Sequence, residues 1–150
     1  MSAALAEARQ RLQMLPRTLH EAAHNTLGAC ALVFALLVSS SNEVSRRAQL
    51  EYLHSQLERA HWDELVRVLG LVGKLDRKLY LPLIELTLPA LHELSAAQCA
   101  AFTGQLQHLV ETDADVSLFE WCLLRIVRAA LVLAKVAVSA VSEPEKKAES

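Results

Sequence analysis

An all-α, single-domain bundle of about six to eight helices is what the sequence predicts, and three observations predict it. First, 53% of the 150 residues are apolar while aromatics make up only 5%, so the core must be built mostly from Leu, Val and Ala. Such side chains suit helix-on-helix packing, and the length is enough for one sizeable core. Second, Gly and Pro number four each, too few for the turns of an all-β fold, and no stretch alternates with strand period. Third, helix-start signals recur. Ser95 and Gln98 have capping-box spacing, Ser117 and Glu120 repeat it, and Ser40 and Glu43 have it again.

Taken in order, Ser2 to Leu15 is rich in Ala, Glu, Arg and Gln and predicts a helix or linker over 1–16, ended by Pro16. A short helical turn follows from Arg17 to His24. Asn25 and Thr26 offer a cap for Leu27 to Val38, LGACALVFALLV, which is apolar nearly all round and belongs in the middle of a bundle. Ser39 to Asn42 is a loop. A long helix is expected over Val44 to Ala60, with Val44, Ala48, Leu53 and Leu57 on its buried face. Trp62, Leu65, Val66, Leu69 and Val72 mark the next helix, which Gly73 can close. Pro82 and Pro89 each lack a backbone N–H, so Leu83 to Leu88 between them cannot be the middle of one straight helix, and a kink or two short helices is expected there. After Ser95, Cys99, Phe102, Leu106, Leu109 and Val110 form one helical stripe. Glu111 to Asp115 reads as an exposed corner. The last helix starts near Leu118 and fades near Ser139, and 142–150 forms a charged, disordered tail. The echo between Asn42-Glu43-Val44-Ser45 and Ala114-Asp115-Val116-Ser117 suggests two halves with similar entry corners.

Charge and composition exclude several function classes. The net charge of −2 gives no basic footprint for nucleic acid. The N-terminus has no basic segment leading into an apolar one, so no signal peptide is expected. Leu27 to Val38 is too short to cross a bilayer, and Glu120, Arg125, Arg128 and Lys135 interrupt the last helix, so no membrane span is expected. Cys30, Cys99 and Cys122 are an odd number without Cys-x-x-Cys spacing and read as buried free thiols in a reducing compartment.

Two constellations could carry chemistry. His20-Glu21-Ala22-Ala23-His24 has the spacing of a helical zinc-binding pair with Glu21 as general base. Pro16 leaves barely one turn of helix before it and Gly28 weakens the helix after it. The third ligand is unmarked, with Glu51, His54 and Glu58 formally available. Asp113, Asp115, Ser117 and Glu120 resemble the start of a calcium loop, but Leu118 and Leu124 stand where an EF-hand needs Gly and Glu. An acidic corner feeding a capping box accounts for them. Trp62 and Trp121 read as core anchors. We therefore expect no catalytic, cofactor-binding or metal residues in the chain.

The segments LPLIELTLPALHELSAAQ and TDADVSLFEWCLLR, with ALVFALLVSSSNEVSRRAQLEYL before them, resemble the helical C-terminal region of bacterial membrane-bound zinc metallopeptidases of the heat-shock-protease and CAAX-prenyl-endopeptidase type. The likeness spans most of Leu15 to Ile126. The arrangement also resembles the tellurite-resistance-type (TerB-like) helical domain, with Asp113, Asp115 and Glu120 matching one of its acidic corners. This resemblance implies a cytoplasmic accessory domain over 17–141, at the inner-membrane face of a larger protein whose zinc peptidase lies upstream. It implies a non-catalytic interaction or regulatory role whose partner is a protein: the peptidase domain, another copy or a substrate chain. Alternatives are a minimal zinc hydrolase using His20, Glu21 and His24, and a divalent-cation-binding domain using Asp113 and Asp115. The best candidate docking surface is the last helix, Arg128 to Val141, which carries more apolar residues than one buried stripe requires.

Overall fold

A single helix, α2 (Thr26–Ser40), runs through the centre of the molecule and touches each of the five helices packed round it. The computed structural model describes residues 15–112, 123–129 and 131, and these form a single-domain helical bundle with no strand among them. Every residue of α2 from Ala29 to Val38 is buried. A helix with no polar side can satisfy the hydrophobic effect only by being surrounded, which is why it organises the rest. Asn25 caps it, its side chain accepting from the Gly28 N–H at 2.6 Å. At the other end Arg46 reaches back: its guanidinium donates to the carbonyls of Val38 at 3.3 Å, Ser39 at 3.2 Å and Ser41 at 3.4 Å. The last turn of α2 holds no basic residue of its own, so the Arg46 cation complements that end of the helix.

Helix α1 (Arg17–Ala23) folds back on α2 and buries Leu19, Ala22 and Ala23. The crossing is tight at Gly28. A Cβ built there falls 2.2 Å from the Ala22 carbonyl oxygen, so the two backbones meet where only glycine fits.

Three expectations about the following segment are corrected. The helix expected over Val44 to Ala60 is broken: α3 (Glu43–Gln56) stops, Leu57 and Glu58 are extended, and α4 (Arg59–Val72) begins. Leu53 on α3 and Leu65 on α4 are both fully buried. In one continuous helix they would lie about 120° apart at 3.6 residues per turn, so the break lets both stripes face the core. The buried face of α3 also differs. It is Ser45, Gln49 and Leu53, while Val44 is 83% exposed and Ala48 is exposed. Residues four apart share a face, so Leu53 selects Gln49 and Ser45 and turns Val44 and Ala48 outward. The cap is Asn42, accepting from the Ser45 N–H at 2.8 Å, in place of the expected Ser40, and α2 continues through the expected loop to Ser40.

Gly73 is the C-cap of α4, as expected, although Val66 is 51% exposed. A 3-10 turn (Arg77–Leu79) leads into α5 (Tyr80–Leu91), which stays a single helix despite both prolines. Pro82 sits in the first turn, where backbone N–H groups have no helical acceptor anyway. Pro89 removes the bond to the Glu85 carbonyl, but both residues lie on the exposed face, where water replaces the lost donor.

Helix α6 (Ala96–Thr112) starts with the expected capping box. Ser95 N–H donates to Gln98 Oε1 at 2.9 Å and Gln98 N–H donates to Ser95 Oγ at 3.1 Å. Its stripe is buried at Phe102, Leu106, Leu109 and Val110, with Cys99 half-buried. Helix α7, over 123–129 with Leu131 continuing it, buries Leu123, Leu124, Val127 and Leu131. The expected N-terminal helix, the second capping box at Ser117 and Glu120, and the end of the last helix lie outside the described residues.

Candidate functional site

Helices α6 and α7 leave a cleft between them of about 360 Å³. On α6 it is lined by Cys99, Ala100, Thr103, Gly104 and Gln107. Arg128 and Leu131 form the opposite wall. The opening follows from residue size. Ala100 and Gly104, one turn apart, keep the α6 backbone low on this side, and a Cβ at Gly104 would meet nothing within 4 Å. Leu131, packed inward, closes the base of the cleft. Arg128 Nη1 donates to Gln107 Oε1 at 2.9 Å, which steadies an exposed guanidinium over the cleft without neutralising it. The volume falls in the range of small-ligand and side-chain pockets, and the walls offer one cation, one amide, one hydroxyl and one thiol.

The cleft residues lie at i, i+3, i+4 and i+7 from Ala100, a second stripe beside the apolar one. That spacing was readable, but small and polar residues at it normally form a wet helix face. Only the position of α7 makes it a cleft. Of the expected docking surface at Arg128 to Val141, Arg128 and Leu131 line it; Leu131 is 4% exposed, so this residue packs inward.

His20 and His24 are placed differently from a helical zinc pair. His20 is half-buried within α1, whereas His24 lies past its end as the C-cap, with its Nδ1–H donating to the His20 carbonyl at 2.7 Å. That bond leaves Nε2 as the ring nitrogen of His24 able to take a ligand. Glu21 is exposed and pairs with Arg17 at 3.3 Å. His54 is committed to the edge of Trp62, ring centroids 4.7 Å apart, while Glu51 and Glu58 are exposed. Among the described residues no group of three or more His, Cys, Asp or Glu is placed to hold a metal ion. Asp113, Asp115 and Glu120 lie outside the described residues.

One buried polar side chain, Gln49, escaped the sequence reading. Gln49 is fully buried between α3 and α6; its Nε2 donates to the Leu109 carbonyl at 3.1 Å and its Oε1 has no hydrogen-bond partner. Beside it Tyr52 stacks on His108, centroids 3.7 Å apart. Cys30 and Cys99 are both free thiols. Burial, and secondarily the neighbouring Cys99, pushes the Cys30 thiol up from 9.0 to about 12.

Compared with protein-family models, with curated proteins and with solved structures, the chain has no match. No single helix among the described residues is long and apolar enough to cross a membrane; α1 and α2 together have the composition, but they meet at 113° and the apolar run of α2 is buried within the bundle.

Proposed function

We propose that this chain is a non-catalytic helical interaction domain that docks a protein segment in the α6–α7 cleft. The observation that carries the reading is the cleft itself, open to solvent and combining an apolar lining at Cys99 and Ala100 with the Arg128 cation. Those walls favour a segment presenting an apolar side chain next to a carboxylate, since a guanidinium pairs with a carboxylate in a two-pronged geometry. The sequence resemblance supplies the identity of the partner: the zinc peptidase of a bacterial membrane-bound metallopeptidase, met in the cytoplasm at the inner-membrane face.

Gly104→Leu and Arg128→Gln test this. A Cβ at Gly104 meets nothing within 4 Å, so a leucine there projects from α6 into the cleft. The expected result is that the wild-type chain, crosslinked in cells, captures a zinc peptidase through residues lining the cleft, and that both substitutions abolish the crosslink. Capture through another face, or capture indifferent to both substitutions, refutes the docking site. Stoichiometric zinc in protein purified without added metal, lost on His20→Ala, refutes the non-catalytic assignment and favours the hydrolase.

A further inference from the structure

Among the described residues, α3 buries fewer apolar side chains than any other helix of the bundle. Leu53 is its only buried apolar residue. Ser45 and Gln49 complete the buried face, Leu50 and Tyr52 are half-buried, and every other residue of the helix is exposed. Helix α4, of equal length, buries Leu65, Val68 and Val72. Apolar burial is the main force that holds a helix to a core, so α3 is weakly held. Its polar contacts do little to compensate. Gln49 gains a bond to the Leu109 carbonyl at 3.1 Å but carries into the core an Oε1 without a hydrogen-bond partner. Tyr52 stacks on His108, which is exposed. Arg46 binds carbonyls five to eight residues back in the chain, so it holds the corner entering α3 rather than fastening the helix to the core. The joints at both ends are extended backbone: Ser41 and Asn42 before α3, Leu57 and Glu58 after it. Helix α3 can therefore leave without unwinding α2 or α4.

We propose that α3 is a detachable cover that opens as one cooperative unit at these two joints while the rest of the bundle stays folded, uncovering the apolar surface of α6 around Leu109. A helix of 14 residues is marginal by itself in water, so α3 unwinds as it leaves and its amides meet solvent. Units of this kind open at a free energy below that of global unfolding. The folded protein thus exchanges with a minor state that lacks one helix and shows one more apolar face.

Native-state amide exchange of the full chain, read by NMR at a series of low urea concentrations, tests this. The amides of α3 are expected to share one opening, with a common urea dependence and protection roughly 100-fold or more below that of α2. Their urea slope is expected to be above zero, because surface is uncovered, yet smaller than the slope for α2, which reports global unfolding. Leu53→Ala is expected to lower α3 protection by roughly 30-fold or more. Gly28→Ala weakens only the α1–α2 crossing, so it is expected to lower α2 protection roughly 5- to 30-fold and leave that of α3 unchanged. The wild-type exchange and the Gly28→Ala comparison decide the matter even if Leu53→Ala does not fold. Protection of α3 equal to that of α2, graded fraying from its ends without urea dependence, or an equal fall in both helices on Gly28→Ala each overturns the proposal.

Discussion

Replacing Gly28 with alanine tests the packing of the whole N-terminal half. The new Cβ would lie 2.2 Å from the Ala22 carbonyl oxygen, 2.7 Å from its Cα and 2.8 Å from its carbonyl carbon. All three are backbone atoms, so no rotamer change relieves the clash. Ordinary contact begins at 3.4 Å, so α1 must back away by about 1.2 Å. A gap of that order forfeits roughly a quarter to a half of each contact across it. The side chains affected are Leu19, Ala22 and Ala23, whose burial together is worth about 3–4 kcal/mol. The loss is then about 1–2 kcal/mol, with about 1 kcal/mol more if the Asn25 cap on Gly28 is strained. Alanine returns up to about 1 kcal/mol of helix propensity. The net expectation is destabilisation of about 1–2 kcal/mol, a fall in melting temperature of roughly 2–8 °C. Gly70→Ala is the matched control, since a Cβ at that exposed helical position meets nothing within 4 Å, and it should be neutral or stabilising by up to about 1 kcal/mol. Thermal and urea unfolding of both variants decide the matter. If Gly28→Ala is as stable as Gly70→Ala, α1 does not cross α2 as described.

Further outcomes follow from the same structure. Arg46→Ala should cost about 1 kcal/mol in urea unfolding by uncapping α2, and Arg46→Lys should recover only part of it, because an ammonium cannot fork across carbonyls as a guanidinium does. Gln49→Glu should destabilise the fold by about 3 kcal/mol or more at pH 7, since a buried carboxylate would face the Leu109 carbonyl in place of a donor; the loss should shrink as pH falls and the new carboxyl takes up a proton. Cys30 makes stability pH-dependent in the alkaline range. Its folded pKa of about 12 lies above the ordinary 9.0, so its contribution is complete below pH 9 and is lost as pH rises toward 12. The slope it adds is at most about 1.4 kcal/mol per pH unit, and Cys30→Ala should flatten it in unfolding curves measured across that window.

The central element was legible because α2 has no polar face, and a helix greasy on all sides has one possible location. The capping box at Ser95 and Gln98 and the stripe from Phe102 to Val110 were equally readable, since both are local patterns a few residues long. The break at Leu57 was not. No proline or glycine marks it, and it exists because α3 and α4 must each turn a stripe to the same core. The buried face of α3 was misread for a related reason: Val44 and Ala48 are the more apolar choice, yet Leu53 sets the register and Gln49 is buried because it reaches the Leu109 carbonyl. The two prolines of α5 were read as breakers, but their damage depends on position and on access to water.

By itself, then, the sequence determined the helical class, the identity of the central helix and the helix starts at Asn25 and Ser95, because periodicity and capping are short-range physics. Tertiary structure alone decided the cleft and the burial of Gln49 against the Leu109 carbonyl. Each depends on where one helix lies against another, and that position is set by the summed packing of the bundle rather than by any residue's neighbours in the chain.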